Sequence, residues 1–238
     1  TFVRKLIVKT TKEFWLVLML LLFLGGLGSV FFSSCGIEEM RQNREMLKSK
    51  PGQKRVIIIH GWKATPEIHW FPWLKNELEK RGFAVAVPQM PDANRPRLKQ
   101  WVGKISDTVG EADTGVFLVG HSLGTVAILK YLETVSSDRK IGGAVLVAGF
   151  SEPFPNMPGK LNNFFAGKTD FKKIARLVKI FIVINSNNDP FVPVQCGEVL
   201  SDKLNAAFMI MPGAGHIRQD EEFIQFPEAL RSVVEMSR

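Results

Sequence analysis

Cysteine is scarce: Cys35 and Cys196 are the two thiols in 238 residues. That excludes a disulfide framework. No CxxC pair or Cys/His cluster has metal-ligand spacing, so neither a metal nor a cofactor is expected. The four histidines, His60, His69, His121 and His216, are scattered as well. The formal net charge is +8, yet no Lys/Arg block and no nucleic-acid motif accompany it, which sets nucleic-acid binding aside. Repeats and low-complexity tracts are missing. What is there is globular in composition, 45% hydrophobic and 23% charged. The length suits one substantial domain with an appendage.

Half of the positive excess lies in residues 1–50, where 8 Lys/Arg face 4 Asp/Glu. Within them "FWLVLMLLLFLGGLGSVFF", residues 14–32, carries no charge. At about 1.5 Å per residue, a helix of that length matches the ~30 Å hydrocarbon core of a bilayer. Arg4, Lys5, Lys9 and Lys12 precede it. Residues 1–35 are therefore expected to be a membrane anchor or signal segment. The run is long for a cleaved secretory signal, whose apolar core spans about 7–15 residues. "FSSC" offers a third reading, a lipoprotein signal ending at Cys35, although Phe32 stands where leucine is usual. Basic residues flank the run on both sides, and those before it are less diluted by acids, which favours a folded domain outside the cytoplasm. Secretion, lipidation at Cys35 and a cytoplasm-facing domain are the alternatives. Residues 36–53 read as a polar linker helix stopped by Pro51-Gly52.

From residue 54 to 238, strand and helix alternate. "VIII" at 56–59 is a β-branched run that ends in His60-Gly61, the mark of a buried parallel strand. "EIHWFPWLKNELEKRG" reads as a helix, "FAVAVPQMP" as a strand, and "RLKQWVGKISDTVGEA" as a helix with Leu98, Trp101, Val102 and Ile105 on one face. Strand 116–120 and helix 123–135 follow, then strands in "IGGAVLVAGF", at 179–184 and in "AAFMIMP". "GEVLSDKLN" reads as a helix, and a final one is interrupted near Pro227. The fold class is α/β: about six mainly parallel strands with helices on both faces. Sites in such sheets form at the carboxyl ends of strands, so each following loop is a chemical candidate.

Gly120-His121-Ser122-Leu123-Gly124 is G-x-S-x-G at a strand-to-helix junction. A tight turn there needs glycines for clearance and lifts the Ser122 oxygen above the sheet edge. On the motif alone, the lesser alternative is a Gly-rich turn in which Ser122 caps the helix. A hydroxyl needs a base, and His216 follows the last strand in "MPGAGHIRQD", where Gly213 and Gly215 are expected to leave the loop mobile and uncrowded. Asp189, in "INSNNDPFVP", also follows a strand and can hold an imidazole tautomer. The order Ser122, Asp189, His216 is that of an α/β-hydrolase. The oxyanion donors are expected to be the backbone amides of Leu123, at the helix start, and Trp62, with Gly61 clearing the approach. His60 is expected to order its loop, and neither His121 nor His69 to transfer protons.

The stretches "HGW", "WFPWLKNEL", "VPQMP", "GHSLGT", "SEPFP", "NSNNDPFVP" and "GAGH" resemble the small, YdeN-like serine hydrolases typified by retinoblastoma-binding protein nine, over residues 54–236. The resemblance implies an α/β-hydrolase fold without a large lid, and Ser122, Asp189 and His216 as nucleophile, acid and base. Ile217 departs from the aromatic usual after the last histidine, which is expected to reshape the pocket wall.

The implied reaction is acyl transfer to water on a small ester or aminoacyl amide. In residues 151–178, Phe154, Met157, Phe164, Phe165 and Phe171 either line an acyl pocket as a small cap or simply pack on the sheet. The rival class is a non-catalytic module that keeps the fold and binds a protein. No LxCxE motif is present, and a pure binder need not keep all three polar residues.

Overall fold

A computed structural model describes residues 52–238 of the chain. The apolar run 14–32, Cys35 and the linker as far as residue 51 lie outside the described residues. Among the described residues, no helix is long and apolar enough to cross a membrane.

Six strands form one parallel sheet: β1 (Arg55–Ile59), β2 (Ala84–Ala86), β3 (Val116–His121), β4 (Gly143–Val147), β5 (Phe181–Ser186) and β6 (Ala207–Met211). Their spatial order is β2-β1-β3-β4-β5-β6. The chain first builds outward from β1 to β2, then crosses back to place β3 on the other side of β1. That reversal opens a crevice beyond the carboxyl ends of β1 and β3.

The alternation of side chains along each strand feeds two cores. Ile57, Ile59, Leu118, Leu146 and Val183 face α2 (Leu98–Val109), α3 (Leu123–Thr134), α4 (Phe171–Leu177) and α5 (Val194–Leu204). Val56, Ile58, Val119, Val145 and Ile184 face α1 (Phe71–Glu79) and α6 (Pro227–Met236). Each fully buried aliphatic is worth about 1.5–3 kcal/mol relative to exposure, so a sheet covered on both faces is strongly favoured.

The first helix is shorter than its sequence suggests. It begins at Phe71 because His69 holds φ +60 and Pro72 occupies the first turn. The last helix begins at Pro227, after a 3₁₀ turn at Gln219–Glu221. The stretch 151–178 divides. Phe164 is fully buried against Trp101, with ring centroids 5.5 Å apart, so it belongs to the core. Phe165 packs on Phe150 and Phe171 lies under Lys203. Phe154, by contrast, faces the cavity described below.

Backbone strain gathers at one edge of the sheet. Lys63 (φ +58), Ser122 (φ +53), Ala148 (φ +46) and Ile217 (φ +56) are non-glycine residues in loops just past β1, β3, β4 and β6. Each such conformation costs about 1–3 kcal/mol, and their concentration marks the carboxyl edge as the functional end.

Candidate active site

Ser122 sits between β3 and α3 with φ +53 and ψ −121. Its amide donates to the Val147 carbonyl at 2.9 Å, and its carbonyl accepts from the Thr125 amide at 2.9 Å and the Thr125 hydroxyl at 2.7 Å. The turn is therefore held by both neighbouring strand and helix. Its glycines are steric requirements. A Cβ on Gly124 would overlap the Ile59 carbonyl oxygen, and one on Gly120 would lie 2.9 Å from the Thr125 nitrogen. At Gly61, a Cβ would come within 3.1 Å of the Ser122 Cβ, so β1 and the turn approach closely.

His216 Nδ1 donates to Asp189 Oδ2 at 2.6 Å. The other carboxylate oxygen, Oδ1, accepts the amides of Phe191 (2.8 Å) and Val192 (3.0 Å), which fixes the carboxylate plane. The Asp189 side chain is 0% exposed and that of His216 is 8% exposed. The "NSNN" before Asp189 contributes more than a turn. Three consecutive amides of the following loop donate to it: Gly213 to Asn187 Oδ1 (2.9 Å), Ala214 to Ser186 Oγ (3.1 Å) and Gly215 to Asn188 Oδ1 (2.8 Å). Asn185 pairs in both directions with the Gly149 backbone at 3.1 Å. The His216 loop is thus laced to the Asp189 loop. The sequence expectation of an uncrowded loop is corrected here: a Cβ on Gly215 would collide with the Glu221 carboxylate.

His121 adds a tether from the opposite side. Its Nε2 donates to the His216 carbonyl at 2.9 Å. Burial, and after it the neighbouring His216, push the His121 pKa well below the ordinary histidine value, so the ring is neutral. Nδ1 is then a bare acceptor, buried without a partner among the described residues. His60 orders its loop, as its sequence position suggests: Nδ1 donates to the Gly61 carbonyl (2.9 Å) and Nε2 accepts the Met90 amide (3.0 Å).

Ser122, Asp189 and His216 line one cavity of about 650 Å³ together with Gly61 and Trp62. No hydrogen bond joins Ser122 to His216 among the described residues; such contacts are often long before a substrate arrives. The amides of Trp62 and Leu123 have no protein acceptor among the described residues, so both are available to a ligand oxygen. Phe150, Phe154 and Leu161 make an apolar wall. Phe191, His69 and Arg218 also line the cavity; of these, the sequence singled out only His69, as a histidine without a proton-transfer role. A visible signal existed for Phe191, which follows Asp189-Pro190 directly. Ile217 does not line the cavity. It is fully buried in the core beside Trp70 and Phe226, so the expectation that it reshapes the pocket wall is not met. Among the described residues, no group of three His, Cys, Asp or Glu side chains could hold a metal ion.

A family model described as serine hydrolase matches residues 56–235. YdeN of Bacillus subtilis (strain 168) is 36% identical over 174 residues, which is 73% of this chain and 91% of YdeN. The serine hydrolase RBBP9 of Rattus norvegicus is 26% identical over 185 residues, 77% of this chain and 95% of its own. The crystal structure of the B. subtilis ydeN gene product superposes with a TM-score of 0.74, covering 77% of this chain and 98% of that one. Est1E from Butyrivibrio proteoclasticus, at 16% identity, shares the fold with a TM-score of 0.59, covering 80% of this chain and 90% of its own. The matched span holds the whole six-stranded sheet but its first residue, and with it the elbow and both laced loops. The chain belongs to the serine hydrolase family and is an enzyme on the α/β-hydrolase fold.

Proposed function

We propose that this hydrolase cleaves carboxylic esters through an acyl-enzyme on Ser122. His216 Nε2 takes the hydroxyl proton as Oγ attacks the ester carbonyl carbon. The carbonyl oxygen becomes an oxyanion and accepts from the amides of Trp62 and Leu123, each worth about 3 kcal/mol in the transition state. His216 then gives its proton to the departing alkoxide, which leaves as the alcohol. Water enters, loses a proton to His216 and attacks the acyl-enzyme. Collapse frees the acid and returns the proton to Ser122. Asp189 holds His216 in the tautomer with Nδ1 protonated and steadies the imidazolium.

The observation that carries this reading is the 2.6 Å Asp189–His216 bond at the wall of a cavity that the strained Ser122 also lines. The apolar wall of Phe150, Phe154 and Leu161 suits an acyl chain. A fluorophosphonate probe tests it. The full chain should label, and Ser122→Ala should lose labelling altogether. Labelling of the variant at full strength would remove Ser122 as nucleophile. Fractionating the labelled cells tests the charge-free run 14–32 in the same experiment, since membrane attachment requires the signal in the pellet.

A further inference from the structure

We propose that the cavity selects esters bearing a negative charge, held by Lys63 and Arg218; this rests on the reading of Ser122 as nucleophile. Three residues lining the cavity carry formal charge: Lys63, Arg218 and Asp189. Asp189 is spent, because one oxygen binds His216 and the other binds two amides. Among the described lining residues no carboxylate is left to face a ligand, while Lys63 and Arg218 remain.

Lys63 is exposed on the loop after β1. Its ammonium lies 4.4 Å over the Trp62 ring, and no carboxylate is within ion-pair reach among the described residues. The charge is placed but not neutralised. Arg218 is more firmly built. Its guanidinium stacks 4.8 Å from the Phe191 ring centroid, and Nη2 donates to Asp220 at 2.8 Å. Among the described residues, Nε is buried without a hydrogen bond, 3.8 Å from Glu221 Oε2, and Nη1 donates to none. Asp220 and Glu221 are not among the residues lining the cavity, so they orient Arg218 from behind.

The Arg218 charge is felt at the cavity wall. His69, also in the cavity wall, has its pKa lowered to about 4, first by burial and then by Arg218, whose repulsion outweighs the attraction of Asp220. A carboxylate entering that field is favoured, and an ammonium is repelled. Aminoacyl compounds, which carry an α-ammonium, are therefore poor fits. A hemiester of a dicarboxylic acid fits well, with its methylene chain on the Phe150, Phe154 and Leu161 wall and its free carboxylate at the cations.

Three p-nitrophenyl esters of matched length separate these cases: the hexanoate (neutral), the adipate hemiester (anionic) and the 6-aminohexanoate (cationic). Expected kcat/KM falls in the order anionic, neutral, cationic, by about fivefold for each cation engaged, with most of the change in KM. The anionic-to-neutral ratio should shrink in Lys63→Gln and in Arg218→Gln, persist in Arg218→Lys, and shrink in 1 M salt. A neutral ester hydrolysed as well as the hemiester, or a ratio untouched by both glutamine variants, overturns the inference. Competition with fluorophosphonate labelling keeps the two ideas apart. If Ser122 labels and the hemiester protects no better than the hexanoate, only the charge selection is wrong. If Ser122 does not label, the reading of the site is wrong as well.

Discussion

Asp189→Asn is expected to lower kcat on a good ester by about ten-thousandfold while the protein stays folded. The cause lies in how the carboxylate is divided. Oδ1 accepts the amides of Phe191 and Val192, and Oδ2 accepts from His216 Nδ1. An asparagine keeps its oxygen on the two amides, because an NH₂ group there would leave two donors facing a donor. Its NH₂ then faces His216 Nδ1 and stabilises the tautomer in which Nδ1 is bare and Nε2 protonated. That tautomer cannot take the Ser122 proton. Steady-state kinetics on a p-nitrophenyl ester, with the circular dichroism spectrum as a fold control, checks the effect. A kcat within tenfold of the parent would mean that Asp189 is not the acid partner.

The second large effect is structural. Gly124→Ala places a methyl group against the Ile59 carbonyl oxygen, 2.8 Å from the His60 carbonyl oxygen and 2.9 Å from the Ile59 carbonyl carbon. All three neighbours are backbone atoms of β1 or of the loop after it, so no rotamer can relieve the contact. The first turn of α3 must move away from β1, which separates the Leu123 amide from the Trp62 amide. A loss of about 3 kcal/mol in stability is expected, together with weakened oxyanion binding. Gly103→Ala is the control. Nothing lies within 4 Å of a Cβ at Gly103, which sits inside α2. There the lost glycine entropy should raise stability by about 0.5–1 kcal/mol. Chemical denaturation of both variants tests the pair, and equal stabilities would contradict the packing at the elbow.

The central strands were legible in the sequence because they are buried on both faces, whereas β6, at the sheet edge, is largely exposed. Val56 to Ile59 can hardly be anything but a central parallel strand, and the run needs no alternation to be recognised. Ser122, Asp189 and His216 were legible because each follows a strand, and a parallel sheet brings all its strand ends to one edge. The structure places all three in the wall of one cavity. What escaped depends on side chains meeting across loops. Ser186, Asn187 and Asn188 look like ordinary turn residues until their partners, the amides of residues 213–215, are known. The lining role of Arg218 was hidden because the chain folds back through a 3₁₀ turn at Gln219–Glu221. Ile217 misled for the opposite reason. At φ +56, the backbone turns its side chain into the core beside Trp70, away from the cavity.

The lacing of the His216 loop has a consequence for the proposed reaction. One set of tethers runs to residues 186–188 and another, from His121, to the strand that carries Ser122. With the imidazole also bonded to Asp189, His216 is held at both its backbone and its ring. On the Ser122 side, the χ1 torsion can still choose among staggered positions. Choosing one of its three staggered positions costs about 0.7 kcal/mol at most. In the proposed mechanism, aligning Ser122 with His216 therefore asks for a rotor setting rather than movement of the His216 loop.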